Sequence, residues 1–104
     1  MKRGEVWWAE QPEPIGRRPV VLLSRNEAYL VRSAVTVAQV TSRIRHIPVE
    51  VSLGGKEGLP RRCVANLDTI TTIPKSWLKD RISVLPFAKL EEIDTALGFA
   101  LGLK

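Results

Sequence analysis

A chain of 104 residues that is 44% hydrophobic can bury one core but not two ordinary domains, and the lack of any run of about 18 apolar residues or of a signal-like start points to the cytoplasm. A single cysteine, Cys63, and a single histidine, His46, exclude an internal disulfide and the usual Cys/His zinc sets, so neither a metal nor a cofactor is expected. The net charge of +5, with no basic amphipathic helix to carry it, favours a polyanion such as nucleic acid over a membrane surface or a small neutral substrate.

The first aromatic and β-branched run predicts a strand from Gly4 or Glu5 to Ala9, with Val6 and Trp8 on one face and Trp7 on the other. Aromatics in strands mostly pack, yet two tryptophans on opposite faces leave one able to stack on a base. Gln11 to Gly16 reads as a loop by its prolines and glycine. The aliphatics Val20 to Leu23 then read as a strand buried on both faces and running from Pro19 to Ser24, with the proline first because it lacks the N–H of an interior ladder position. Ser24 and Glu27 are spaced as a capping box that opens a short helix through Val31. Ser33 to Val40 predicts a third strand, Thr41 to His46 a polar, basic exit, and Ile47 to Leu53 a fourth strand stopped by Gly54-Gly55.

Beyond the loop Lys56 to Arg62, Cys63 to Leu67 and Thr69 to Ile73 read as one bent β segment stopped by Pro74. Lys75 to Leu78 is expected to form one helical turn and Arg81 to Leu85 a short last strand. Phe87, Leu90, Ile93, Leu97 and Leu101 recur at intervals of three and four, which predicts a terminal amphipathic helix with Pro86 at its first position. The fold class is therefore β-rich α+β, a single domain of five or six short strands in meander order, curled into a small barrel or half-barrel with a helical insert and a C-terminal helix.

The charge is concentrated. Between Arg17 and Arg45 stand six arginines (17, 18, 25, 32, 43 and 45) against one acid, Glu27. Arg17 and Arg18 stand at the mouth of the core strand, and because a guanidinium is always charged they must open onto solvent or onto an anion. The run Leu53-Gly54-Gly55-Lys56 lacks the spacing of a nucleotide-binding loop.

Five segments in order, Arg3-Gly4-Glu5-Val6-Trp7, Arg18 to Ser24, Val40-Thr41-Ser42, Ile47 to Val51 and Leu97 to Leu103, resemble the MazF/PemK toxins over nearly the whole chain. That resemblance implies an SH3-like barrel with helices, a homodimer, and a growth-inhibiting, metal-independent endoribonuclease of a bacterial type II toxin–antitoxin pair. It implies single-stranded RNA as substrate and an acidic antitoxin as partner. Position by position it places the principal catalytic pair on Arg18 and Thr41, a further acid on Asp68, and RNA contacts on Arg17, Ser42, Arg43 and Asn66. Asn66 stands where an arginine is usual, Thr71-Thr72 replaces an Arg-Thr pair, and the loop before Arg18 is short.

The chemistry stands on its own. RNA cut by its own 2′-OH needs alignment, charge stabilisation and proton transfers rather than a metal. Arg18 suits the phosphate oxygens and is a poor base, whereas Asp68 or His46 could take the proton. Two readings compete with cleavage: a barrel that grips RNA or protein without cutting, and a topoisomerase-poisoning toxin of the same fold.

Overall fold

The aliphatic run lies at the middle of a six-stranded antiparallel sheet in the computed structural model, which describes residues 1–103. The strands are β1 (Glu5–Glu10), β2 (Arg17–Leu22), β3 (Ala34–Thr41), β4 (Glu50–Leu53), β5 (Cys63–Pro74) and β6 (Leu78–Val84). The helices are α1 (Ala28–Val31) and α2 (Phe87–Leu101), and single 3-10 turns occupy Gly55–Glu57 and Lys75–Trp77. Val21 and Leu23 face one cluster of buried side chains with Val6, Leu67 and Ile93, while Val20 and Leu22 face a second with Tyr29, Val37 and Ile73. The expectation of a strand buried on both faces holds, and each such side chain contributes about 1.5–3 kcal/mol of burial.

The strand order is β4-β5-β3-β2-β1-β6, which corrects the expected meander. β5 pairs with β3, leaving β4 at one edge, and β6 returns to pair with β1 at the other. The sheet curls until these edges approach: the Ser83 hydroxyl, on β6, donates to the Glu57 carbonyl at 2.6 Å, in the turn that follows β4. Gly58, at φ +78, lets that turn pass Ile82, whose methyl a Cβ would meet at 3.2 Å. α2 lies over β4 and β5, so the result is a half-barrel with one helix on its concave side.

Several boundaries move for identifiable reasons. β2 begins at Arg17 rather than Pro19, because its first three residues pair only with β1 and Pro19 therefore stands outside the β2–β3 ladder, which starts at Val20. Ser24 does not cap a helix; its hydroxyl accepts the Thr36 N–H at 2.8 Å and prolongs the β2–β3 pairing past Leu22, while Glu27 occupies the N-cap without a side-chain bond. β4 is shorter than the run Ile47 to Leu53, because Pro48 lacks an N–H and the Glu50 carboxylate gathers the N–H groups of Arg45 and His46 into a turn. β6 starts three residues before Arg81, at Leu78. Pro86 is the N-cap of α2 rather than its first residue, and accepts the Leu90 N–H at 3.0 Å. Of the apolar stripe, Ile93 is buried and Leu90 and Leu97 pack against the core, whereas Phe87 and Leu101 remain exposed.

Candidate active site

Two clefts open at the end of β2 and β3 where the arginines lie. The first, ≈ 280 Å³, is lined by Trp8, Arg17, Pro19, Ser42, Leu59 and Arg61 among others, and the second, ≈ 210 Å³, by Ile15, Gln39, Arg43, Arg45, Asn66 and Thr69. Arg18 and Thr41 line both. The β2–β3 pairing stops at Val20 and Gln39, two residues short of Arg18 and Thr41, and because both side chains line both clefts they mark the ridge between them.

The two adjacent arginines differ electrostatically. Arg17 is held by Glu10 at 3.3 Å and Asp80 at 3.7 Å, and its guanidinium lies over the Trp8 ring at 4.8 Å from the centroid. Arg18 has no ion-pair partner among the described residues, although the adjacent Arg17 has two. A half-buried cation without a counter-ion, at the border of two clefts, is a place where a phosphate supplies what the chain does not. Thr41 complements it. Its Oγ1 accepts the Arg43 N–H at 3.2 Å, which leaves the hydroxyl proton free to donate to an anion.

The structure brings Arg17, Arg18, Thr41 and Ser42 to the first cleft, and Arg18, Thr41, Arg43 and Asn66 to the second. Asp68 lines neither: it is exposed on the bend of β5, its own N–H donated to Asn66 Oδ1 at 2.9 Å, beside the cleft-lining Thr69. His46 is exposed in the turn before β4 at φ 56 and also lines neither cleft. Trp8 belongs to the first cleft, while Trp7 packs on the second core cluster and donates its indole N–H to Glu5 at 2.9 Å. Of the six arginines, Arg17, Arg18, Arg43 and Arg45 line the clefts, and Arg25 and Arg32 line neither.

Sequence reasoning missed the amide pair beneath the second cleft. Gln39 donates to Gln11 at 2.7 Å and accepts from it at 3.0 Å, both side chains buried, which ties the loop after β1 to β3. The signal was present, because Gln39 is the lone amide in an otherwise apolar stretch of β3. Arg45, Leu59, Pro60 and Arg61 were also missed as cleft residues, having no strand periodicity to place them. Among the described residues no group of three or more His, Cys, Asp or Glu is arranged to hold a metal ion, and no helix is long and apolar enough to cross a membrane.

Residues 2–101 match the family described as PemK-like, MazF-like toxin of type II toxin–antitoxin system. The chain is 42% identical over 100 residues to the probable endoribonuclease MazF5 of Mycobacterium tuberculosis, an alignment that covers 95% of this chain and 91% of that protein. In three dimensions it resembles the Mycobacterium tuberculosis toxin MazF-mt6, with a TM-score of 0.89, 28% identity, and coverage of 96% of this chain and 98% of that one. It also resembles an endoribonuclease in complex with its cognate antitoxin from a mycobacterial species, with a TM-score of 0.86, 30% identity, and coverage of 100% and 97%.

Proposed function

Because the chain belongs to the PemK-like, MazF-like toxins of type II toxin–antitoxin systems, we propose that it is an endoribonuclease toxin that cuts single-stranded RNA at the Arg18–Thr41 ridge. The observation that carries the reading is that Arg18 and Thr41 border both clefts, so a strand laid from one cleft into the other passes its phosphate over them. The attacking group is the RNA's own 2′-OH, which yields a 2′,3′-cyclic phosphate and a 5′-hydroxyl. Arg18 stabilises the charge that grows on the phosphorane and supports departure of the 5′ oxygen, which takes its proton from water to give the 5′-hydroxyl. Thr41 holds a non-bridging oxygen with the proton that its contact with Arg43 leaves free. Asp68, between Asn66 and Thr69 on the rim, is the proposed acceptor of the 2′-OH proton, and Arg17, Ser42, Arg43 and Asn66 hold the flanking nucleotides.

The proposed setting is the cytoplasm, where an acidic antitoxin covers the ridge. A homodimer is proposed as the working unit, its interface drawn from the exposed apolar residues Val84, Phe87, Phe99 and Leu101. Replacing Arg18 by alanine removes a preorganised donor and is expected to lower the cleavage rate about 10²–10³-fold. Thr41→Val is expected to act in the same direction, and Asp68→Asn to cost about 10²-fold or more if it is the base. Circular dichroism of each variant must match the parent. Full cleavage by Arg18→Ala would contradict the site, and full cleavage by Asp68→Asn would remove that residue from the reaction while leaving the ridge intact.

A further inference from the structure

Building on the endoribonuclease reading, we infer that Asn66 makes the second cleft selective for a base with a keto oxygen at C6 or C4, guanine or uracil, over adenine or cytosine, which carry an amino group there. Asn66 stands where the β3–β5 register breaks: Ala38 pairs with Ile70, but the next residue, Gln39, pairs with Asn66. The residues this break throws out, Leu67 to Thr69, let the Asn66 carboxamide turn back to accept the Asp68 N–H at 2.9 Å. A backbone N–H can only donate, so the atom it meets is the carboxamide oxygen, and the amide cannot reverse without stranding that donor. The amino group, with two N–H donors, is the end left over, and it has no partner among the described residues.

The charged lining has the same sense, and the Thr41 and Thr69 hydroxyls, able to donate or accept, favour neither kind of base. Arg18, Arg43 and Arg45 can only donate, and none of them has an ion pair among the described residues. The carbonyl and the amino group of Gln39 are both engaged with Gln11, and no carboxylate lines the cleft. The amino group of adenine or cytosine, brought against the Asn66 amide and the arginines, sets donors against donors, whereas O6 of guanine or O4 of uracil satisfies them. Sites built to pair with a group reject a base lacking it more strongly than apolar pockets reject a misfit. A backbone phosphate would satisfy the same donors, and the test is arranged to separate the two.

A single strand is selected by binding to the protein from a random pool built with 2′-deoxy sugars, deoxyuridine included, so that nothing is cut, and each position of the best binder is changed to the four bases in turn. Fluorescence anisotropy is expected to reveal one position at which guanine or uracil binds about fivefold or more tighter than adenine or cytosine. Asn66→Ala removes that preference, and Asn66→Asp, which presents acceptors only, turns it toward adenine and cytosine. If no position has a preference that depends on Asn66, the cleft holds backbone phosphate and the inference is overturned. Cleavage of the all-ribose versions is read separately: an intact preference without cleavage sinks the enzymatic reading alone, and cleavage with no Asn66-dependent preference sinks the inference alone.

Discussion

At the scale of single residues, two adjacent arginines divide the work: Arg17 is held by the fold, and Arg18 faces the clefts without an ion pair among the described residues. Arg17 is occupied by Glu10, Asp80 and Trp8, so its loss is expected to raise KM several-fold with little change in kcat, opposite in pattern to Arg18→Ala. Steady-state cleavage of one RNA by the two variants measures the split. Two buried titratable groups add pH dependence. Burial pushes the Glu5 carboxyl up, but the Trp7 indole, the Lys2 backbone and the Arg81 guanidinium outweigh it and hold the group below its ordinary value of 4.5. Its stabilisation is therefore present above that value and is lost as pH falls through the depressed one. Glu5→Gln is expected to be less stable at neutral pH and to show a shallower loss on acidification below about pH 4.5 in thermal melts. Tyr29 is the alkaline counterpart. Burial pushes its phenol up to about 12, and its hydroxyl has no hydrogen-bond partner among the described residues. Unfolding frees it to ionise near pH 10, so it contributes stability that fades as pH rises between 10 and 12. Tyr29→Phe removes an orphaned hydroxyl and is expected to raise stability at neutral pH by about 1 kcal/mol, with a flatter alkaline limb.

At the scale of elements, the bend of β5 does two jobs. Leu67, almost fully buried, anchors it to the core, and its N–H reaches the Val49 carbonyl at 2.9 Å, while Asn66 and Thr69 on either side line the second cleft. Leu67→Ala is expected to cost about 2–5 kcal/mol in chemical denaturation and to weaken RNA binding as well, since the cavity sits under the binding wall. What the sequence disclosed follows from the same elements. The aliphatic run of β2, the bent β5 and the stripe of α2 were legible because a two-sided core and a 3.6 period leave unmistakable patterns. The strand order was not, because β6 reaches β1 through contacts some 75 residues apart, such as Glu5 with Arg81, that no local pattern carries. The capping box at Ser24 misled for a related reason: the same serine hydroxyl serves a strand N–H better than a helix N–H once β3 lies alongside. Arg18 and Thr41 could be named from the sequence, but that they border two clefts rather than one depends on residues distant in the chain, Leu59 and Arg61 at the first cleft and Asn66 and Thr69 at the second.

At the scale of the molecule, an excess of five positive charges and a ridge with an unpaired arginine set how partners arrive. An acidic antitoxin segment is expected to associate quickly at low ionic strength and markedly more slowly as salt is raised, because steering by exposed charge is screened within about 10 Å at 0.1 M. Stopped-flow association across a salt series measures this, and an on-rate indifferent to salt would place the docking surface away from the arginines. The proposed dimer is checked by sedimentation at micromolar concentration, where a lone 11.6 kDa species would count against it. The most direct measurement of the whole account is the chemistry of the cut ends. Purified protein is incubated with single-stranded RNA in EDTA, and the products are analysed for their termini beside a substrate carrying one 2′-deoxy sugar at the cut. The account predicts a 2′,3′-cyclic phosphate and a 5′-hydroxyl, no cleavage of the deoxy substrate, and formation of both products about 10²–10³-fold more slowly with Arg18→Ala. Cleavage of the deoxy substrate at an equal rate, or products ending in a 5′-phosphate, would contradict it.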